Sequence, residues 1–208
     1  MIFNFTNDYK FTTRLKLNDK NVDVIDQTKL LGSIITDDLK WDKNTSKIVR
    51  NANARMELLR KVASFGTNID DLKTVYILYI RSILEQSATV WHSSLTQENV
   101  SDLERVQRSA LKVILQDKYK GYERSLAQLG LESLSSRREQ MCLAFALKCT
   151  KNNKMKHMFP LSQKNHQMNT RDEGKYRVYH ANTDRLKNSA VIYMQNLLNE
   201  HEKTQPTS

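Results

Sequence analysis

Apolar residues that follow Trp41 recur three or four positions apart, as they do along the buried side of an α-helix. The first such run consists of Ile48, Ala52, Met56, Leu59 and Ala63. The same spacing predicts further helices over residues 69–86, 97–115, 122–129, a long helix after Ser136, and 189–199. The chain contains only five glycines and two prolines, which favours long helices over a turn-rich β architecture. The pattern therefore predicts a mainly α fold.

Two of the predicted helices carry long apolar stripes that we expect to be buried. The stripe of the 69–86 helix consists of Leu72, Val75, Tyr76, Tyr79, Ile80 and Ile83. The stripe of the 97–115 helix consists of Val100, Leu103, Val106, Ala110, Leu111 and Ile114. Thr96 is a candidate N-cap, and Ser136 and Glu139 have the spacing of a capping box.

Residues before Trp41 follow a different pattern, in which polar and apolar side chains alternate. Thr13–Leu17 and Val22–Ile25 alternate on either side of the turn-forming residues Asn18–Asn21, which predicts a β-hairpin. A further apolar run, Lys29–Thr36, is interrupted by Gly32. Glycine inside a strand often marks a bulge or a close approach of another part of the chain. Residues 1–41 are therefore expected to form short strands, followed by a helical domain over residues 42–150.

The helical pattern weakens after residue 150. Residues 151–188 are polar and rich in Asn, Lys and Gln, with a few scattered aromatic side chains (Phe159, Tyr176, Tyr179). Residues 151–208 are therefore expected to form a basic, partly ordered tail with a terminal helix. Residues 148–208 contain 11 Lys and Arg against 5 Asp and Glu, which accounts for +6 of the net charge of +10.

The excess of positive charge points to an anionic partner, since a basic surface binds phosphate backbones in a salt-dependent way. The helix after Trp41 carries four cations, at about 100° per residue, on a face away from its apolar stripe. These candidate nucleic-acid contacts are Lys43, Lys47, Arg50 and Lys61. The alternatives are a solvated face, ordinary solubilising charge, or a basic face for an acidic protein.

Cys142 and Cys149 lie seven positions apart in an apolar stretch, so one helix face can carry both. No second pair of Cys or His follows at metal-binding spacing, which favours buried, reduced thiols and an intracellular protein over zinc ligands or a disulfide. The first residues lack the charged and apolar segments of a signal peptide, and no apolar run is long enough to span a membrane. Neither secretion nor membrane insertion is expected.

Asp37 and Asp38 are the most conspicuous pair of carboxylates. A nucleotidyl-transfer site needs carboxylates that converge on Mg²⁺, and an adjacent pair after a strand can supply part of such a site. The pair lies at a turn, where Asp is common for local reasons, and no third carboxylate upstream is placed on a neighbouring strand. The five histidines are widely spaced, and the chain has no phosphate-binding loop. No catalytic or metal site is predicted.

Residues Lys29–Asn44 resemble the end of the palm in the reverse transcriptases of non-LTR (LINE-like) retrotransposons. The family pattern there is approximately K-x-L-G-x-x-x-x-x-x-L-x-W. The matching residues are Lys29, Leu31, Gly32, Leu39 and Trp41. The basic helix from Ile48 to Lys61 is similar to the first helix after the palm.

Three further segments resemble the same family in the same order. Tyr76–Trp91 is similar to its Y…R-S…L-E-Y…W segment, with Gln86 where the family usually has tyrosine. Leu103–Leu115 is similar to its L-E-x-V-Q-x-x-A-x-x-x-I helix. Leu129–Arg138 is similar to its L-G-L-x-x-L-x-x-R-R block. The matches cover about residues 1–150, with weaker similarity at the last apolar run.

The resemblance implies the last strands of a polymerase palm, followed by a helical, thumb-like bundle in which Gly32 and Trp41 shape the palm–thumb junction. In the family, the catalytic Y/F-x-D-D strand lies upstream of the Leu-Gly segment, so Asp37 and Asp38 are not that motif. Polymerase activity is therefore not expected of this chain alone, and Mg²⁺ is expected only with the missing palm. The expected partners are an RNA/DNA duplex, contacted through its backbone, and an upstream palm segment.

Two other interpretations stay open. One is a helical structural or protein-interaction domain derived from such an element, in which the basic face only maintains solubility. The other is an independent enzyme, which no constellation in the sequence supports. Affinity for nucleic acid that falls steeply with salt separates the nucleic-acid interpretation from the protein-interaction one.

Overall fold

The computed structural model describes residues 16–23, 25–162 and 175–204. The predicted mainly α fold is confirmed, with short antiparallel strands before the helices. The strands are β1 (Lys16–Leu17), β2 (Lys20–Asn21), β3 (Gln27–Leu30) and β4 (Ser33–Thr36). The helices are α1 (Asp42–Ser64), α2 (Ile69–Val75), α3 (Ser82–Leu84), α4 (Ala88–Trp91), α5 (Gln97–Leu115), α6 (Tyr122–Leu129), α7 (Leu134–Lys151), α8 (Asp184–Lys187) and α9 (Ala190–Thr204).

The first hairpin is tighter than its sequence pattern predicted. β1 pairs antiparallel with β2 around a turn made only of Asn18 and Asp19, whose φ angles are 47° and 62°. Asn and Asp tolerate this left-handed conformation, and two such residues match the twist of a two-residue hairpin. Val22–Ile25 was wrongly predicted as the second strand, since its described residues pair with no strand. Part of Thr13–Leu17, and Val24, lie outside the described residues.

The Lys29–Thr36 run forms a second hairpin instead of one interrupted strand. β3 and β4 pair antiparallel, with Leu30 opposite Ser33. Both turn residues, Leu31 and Gly32, have positive φ angles, at 46° and 88°. The interrupted-strand prediction was therefore wrong, because the glycine supplies the left-handed conformation that a two-residue turn needs.

The main core lies between α1 and α5, which pack together through their apolar stripes. Every residue of the predicted α1 stripe is at most 8% exposed. The predicted α5 stripe is buried except for Val100, which is partly exposed. Burial of apolar surface stabilises such helices by roughly 25 cal/mol per Å² and outweighs their intrinsic propensity. The rest of this core comes from α2, the segment between α2 and α3, α3, α4, α6 and the start of α7.

The helix predicted over residues 69–86 is observed from Ile69 to Leu84, but it is not a regular α-helix. Between α2 and α3 lies a π-helical segment, Tyr76–Arg81. The buried residues of this helix recur every four positions: Leu72, Tyr76, Ile80 and Leu84. In an α-helix, such residues drift by about 40° per step. The wider π turn compensates for this drift and keeps all four side chains directed at the core.

The π segment also accounts for a wrong prediction. Tyr79 was expected in the buried stripe, because it would lie only about 60° from Tyr76 on an α-helix. A residue advances by a smaller angle in a π-helix, so three positions carry Tyr79 further from Tyr76 and toward solvent. Tyr79 is 47% exposed, whereas Tyr76 is fully buried.

Helix capping follows one of the two sequence signals. Thr96 caps α5 as predicted, since its Oγ1 accepts a hydrogen bond from the backbone N–H of Asn99 at 3.2 Å. The cap predicted at Ser136 was wrong. Ser133 caps α7 instead, and its Oγ accepts from the N–H of Ser136 at 3.1 Å. The helix begins there because Leu134, which is fully buried, draws the first turn into the core.

A second, smaller cluster forms where α9 packs on α7. The buried residues from these two helices are Cys142, Ala146, Cys149, Met194, Leu197 and Leu198. Phe159 and Tyr176 join this cluster, at 3% and 8% exposure. The predicted last helix is confirmed and extends to Thr204. The domain divisions at residues 41 and 150 stay predictions.

We expect the chain to tolerate deletion of Leu78, which lies in the π segment and is 61% exposed. Without this residue, the four buried side chains of the helix fall within about 60° of one another on a regular α-helix. The core contacts of the helix before and after the deletion should therefore persist. Thermal unfolding followed by circular dichroism should show a Tm within roughly 10 °C of wild type, which corresponds to about 3 kcal/mol.

Deletion of Ser109 from α5 is the matched control. α5 is regular there, so this deletion rotates all following residues by about 100° relative to the preceding ones and misplaces Ala110, Leu111 and Ile114. Cooperative unfolding should be lost. Equal damage by the two deletions would show that the π segment does not set the register of the helix.

Candidate nucleic-acid interface

The predicted nucleic-acid contacts lie on the side of α1 that faces away from the core. Lys43, Arg50 and Lys61 are exposed, and Lys47 is partly buried. Lys61 lies in the last turn of α1, where a cation interacts favourably with the helix dipole. Within the described ranges, no salt bridge joins the three exposed cations to a carboxylate. Their charges therefore face solvent uncompensated by a direct partner.

Lys47 also makes a structural contact. Its Nζ donates a hydrogen bond to the carbonyl oxygen of Gly32, at the turn of the second hairpin. The backbone at Gly32 also closely approaches the turn between α3 and α4, since a Cβ at this position would lie 2.7 Å from Nε2 of Gln86. The structure thus joins Lys47 and Gly32, which the sequence placed in two different sites.

Further contacts attach the second hairpin to the start of α1. The backbone N–H of Ile34 donates to Oδ1 of Asn44, which is buried in the first turn of α1, at 3.0 Å. Trp41 is the residue just before α1, and its side chain packs against the main core. The basic helix is therefore held in a definite position relative to the strands. That this is a palm–thumb junction stays a prediction.

Asp37 and Asp38 form the turn that follows β4. Thr36 Oγ1 donates to Oδ1 of Asp38 at 2.6 Å, and the N–H of Lys40 donates to the same oxygen at 3.0 Å. These two hydrogen bonds, the one from Thr36 first, lower the pKa of Asp38. Asp37 accepts a hydrogen bond from the N–H of Asp38 at 2.9 Å. Both carboxylates thus have local roles typical of Asp in turns.

Polar residues from the sequence motifs converge inside the bundle. Gln107 of α5 is fully buried, and its Oε1 accepts a hydrogen bond from the hydroxyl of Tyr76. Its Nε2 donates to the Tyr122 hydroxyl and to the carbonyl oxygen of Glu132, each at 2.9 Å. The Tyr122 hydroxyl donates to the carboxylate of Glu104. One amide therefore connects the π segment, α5, α6 and the turn before α7.

A partly shielded ion pair joins the end of α3 to α7. Nε and Nη2 of Arg137 donate to the two carboxylate oxygens of Glu85 at 2.6 and 3.3 Å. The hydrogen bond to Glu85 raises the pKa of Arg137. Nε of Arg81 lies 3.8 Å from the same carboxylate, whose side chain is 11% exposed. A two-point, shielded pair of this kind orients helices better than a surface salt bridge does.

Arg138 is fully buried between α7 and the end of α4. Its guanidinium carbon lies 5.8 Å from the ring centroid of Trp91, and its Nε donates to Nδ1 of His92 at 3.4 Å. Burial, and then the charge of Arg138, lower the pKa of His92 from 6.5 to about 4. The ring of His92 meets that of Tyr193 edge-on, with centroids 5.8 Å apart. This cluster therefore connects the main bundle to α9.

Cys142 and Cys149 lie on the buried face of α7 and are not paired in a disulfide. Burial raises the pKa of Cys142 to about 11 and also raises that of Cys149. A buried thiol with a raised pKa is a poor nucleophile near neutral pH. The prediction of buried, unpaired thiols is confirmed. In the described ranges, no group of three or more His, Cys, Asp or Glu is arranged to hold a metal ion.

Sequence reasoning missed a second pair of surface cations. Arg108 and Lys112 lie four positions apart on α5, and their charged groups lie over the rings of Tyr122 and Tyr119, respectively. The spacing of the two cations was a weak signal that they share a helix face. The tyrosines come from the following segment, so only the tertiary structure places them under the cations.

No protein-family model matches this chain, and the comparisons with curated proteins and with solved structures found no match. In the described part of the chain, no helix combines the length and apolar character needed to cross a membrane. The fold and its surfaces therefore define a class: a basic, mainly helical domain with cationic outer helix faces and a buried polar network.

Replacing Gln107 by Leu should destabilise the protein by about 2–5 kcal/mol, because it leaves Tyr76 and the Glu132 carbonyl buried without this hydrogen-bond partner. Urea unfolding of Gln107→Leu, Tyr76→Phe and the double variant gives a double-mutant cycle. The double variant should lose less stability than the two single losses combined, since both partners of one bond are then apolar. Additive losses would show that the Tyr76–Gln107 bond does not couple the helices.

His92 should make stability depend on pH. Its pKa is 6.5 when unfolded but about 4 when folded, so between these values only the unfolded chain takes up the proton. The contribution of His92 to the free energy of unfolding is fully present above pH 6.5 and is lost as the pH falls to about 4. This contribution amounts to at most about 3 kcal/mol. His92→Asn retains an acceptor for Arg138 but cannot become protonated there. The free energy of unfolding of His92→Asn should therefore fall less steeply than that of wild type between pH 6.5 and about 4. Parallel pH dependences of the two proteins would show that His92 is not the group responsible.

Proposed function

We propose that this chain binds the phosphate backbone of a template–primer duplex, as the thumb-like part of a non-LTR type reverse transcriptase. The observation that carries the proposal is the outer face of α1, where Lys43, Arg50 and Lys61 are exposed and form no salt bridge within the described ranges. Cations along one helix face contact phosphates whatever the base sequence. A polymerase must hold its duplex in this way, because the sequence changes with each step.

The polar contacts between helices support the proposal independently of surface charge. Glu85, Glu104, Gln107 and Arg137 all belong to the segments that resemble the family, and each forms a contact between different parts of the bundle. Residues that hold helices together are those that a shared fold would require at equivalent positions. The resemblance therefore involves residues on which this bundle depends.

In this proposal, the chain binds and positions the duplex and does not itself catalyse polymerisation. The Mg²⁺-binding carboxylates would come from an upstream palm segment that continues into the strands before α1. Lys47, through its hydrogen bond to Gly32, would then keep the basic face of α1 at a fixed distance from that palm. This residue is a positioning residue, and not one of the phosphate contacts.

A second candidate function, protein interaction, is favoured by exposed apolar residues in the second hairpin and in the segment just before it. Ile25, Leu30 and Leu31 are 59%, 52% and 90% exposed. Exposed apolar side chains beside short, open strands are typical of a surface that meets another protein segment. In the first proposal that segment is the palm; in the second it is an unrelated protein, and the basic face only maintains solubility.

The combined variant Lys43→Gln, Arg50→Gln, Lys61→Gln should bind a primer–template duplex more weakly than wild type. Each cation neutralises about one phosphate, so the slope of log Kobs against log[salt] should become less negative by about 3. Fluorescence anisotropy at several salt concentrations between about 50 and 200 mM measures this slope. Lys47 is left unchanged so that the hairpin keeps its position.

The matched control removes three exposed lysines from the last turn of α7 and the turn that follows it: Lys148→Gln, Lys151→Gln, Lys154→Gln. Its net charge equals that of the α1 variant, but its salt slope should stay close to that of wild type. Equal losses of duplex affinity in both variants would mean that binding depends only on the net charge of the chain and not on the α1 face. No measurable affinity of the wild-type chain at low salt would favour the protein-interaction candidate instead.

A further inference from the structure

The outer face of α5 carries a second group of cations. At about 100° per residue, Arg105, Arg108 and Lys112 lie within about 60° of one another and opposite the buried stripe of α5. All three are exposed. Residues 105–124 contain six Lys and Arg against two Asp and Glu, so the positive charge continues through the turn into α6. We call the surface made by Arg108, Lys112, Tyr119 and Tyr122 the α5 face.

Aromatic rings hold both cations of the α5 face in place. The guanidinium carbon of Arg108 lies 5.0 Å from the ring centroid of Tyr122, and Nζ of Lys112 lies 5.7 Å from that of Tyr119. Both tyrosines pack against the main core, and Tyr122 is also fixed by its hydrogen bonds in the buried network. Such restraint lowers the conformational entropy that the long side chains lose on binding an anion.

The charges of Arg108 and Lys112 are not compensated by nearby carboxylates. Within the described ranges, neither forms a salt bridge, whereas Arg105 pairs with Asp102 at 3.0 Å. A cation over a ring keeps its net charge, and its outer side stays open to an external anion. The α5 face therefore presents two fixed, exposed and uncompensated positive charges one helical turn apart.

The α5 face and the basic face of α1 point in opposite directions. α1 and α5 pack against each other through their apolar stripes, and on each helix the cations lie opposite the stripe. A straight segment of nucleic acid that lies along one of these faces is therefore separated from the other face by the thickness of both helices. The two surfaces are suited to two separate segments.

We infer that the α5 face is a second nucleic-acid-binding surface, which contacts the phosphate backbone of a different segment from the one bound by α1. The inference takes its class of ligand, nucleic acid, from the proposed function, but the residues involved are different ones. The rings of Tyr119 and Tyr122 are covered by cations, so they are not free to stack on bases. Binding at the α5 face is therefore sequence-independent and depends on salt.

A two-duplex capture assay tests the inference. A biotinylated duplex of random sequence is immobilised, the full chain is bound to it, and a second, fluorescent duplex is added. The wild-type chain should recruit the fluorescent duplex in a salt-sensitive way. The variant Arg108→Gln, Lys112→Gln should still bind the immobilised duplex through α1 but recruit no more fluorescence than a surface without protein.

Two controls keep the assay interpretable. Lys148→Gln with Lys151→Gln removes the same net charge from α7 and should recruit the second duplex as wild type does. Arg108→Lys with Lys112→Arg retains both charges over the rings and should also do so. Circular dichroism of each variant checks that the fold is intact. Full recruitment by the Arg108→Gln, Lys112→Gln variant would overturn the inference. In that case the second duplex would be recruited without the α5 face, for example by two copies of the chain that each bind one duplex through α1.

The α1 variant separates this inference from the proposed function. If it binds one duplex but recruits no second one, both surfaces bind nucleic acid. If it binds the immobilised duplex as tightly as wild type does, while the α5 variant loses all binding, the α1 proposal fails and only nucleic-acid binding by the α5 face survives. Binding of the α5 face to vesicles of anionic lipid, with no effect of the α5 variant on duplex binding, would assign the face to lipid headgroups and overturn the inference.

Discussion

The side-chain amide of Gln107 connects four segments of the bundle in a region that excludes water. It accepts a hydrogen bond from Tyr76 and donates to Tyr122 and to the backbone of Glu132. A buried amide without partners would be strongly destabilising, so these segments can only pack in the arrangement that satisfies it. The apolar stripes make the helices associate, and this amide determines how they associate.

The outer surfaces follow from the same arrangement. Because Tyr122 is fixed by Gln107 and Glu104, its ring forms a rigid support for Arg108 on the outside of α5. On the opposite side, burial of the α1 stripe turns the cations of α1 outward. The buried polar network thus supports the cations of α5, whereas the apolar stripe directs those of α1 outward. Together these exposed charges determine which ligands the bundle is suited to bind.

The sequence predicted the helices well where a regular period of 3.6 residues held, as in α1 and α5. It was wrong where the backbone departed from that period: the π segment turned Tyr79 outward, and two-residue turns at Asn18-Asp19 and Leu31-Gly32 moved the strands. A periodic pattern assumes regular geometry, so it cannot detect an extra residue in a helical turn. The predicted contact residue Lys47 was likewise partly buried by a hairpin that the pattern had not placed.

The sequence by itself determined the mainly α class, the buried stripes of α1 and α5, the unpaired thiols and the outward direction of the α1 cations, because each depends only on spacing along one helix. The tertiary structure alone decided which motif residues meet in the buried network, that Lys47 binds Gly32, and that Tyr119 and Tyr122 lie under Lys112 and Arg108. These contacts join residues that lie on separate elements, from Lys112 and Tyr119, which are 7 positions apart, to Tyr76 and Gln107, which are 31 apart. The crossing of those elements, not their local pattern, brings the side chains together.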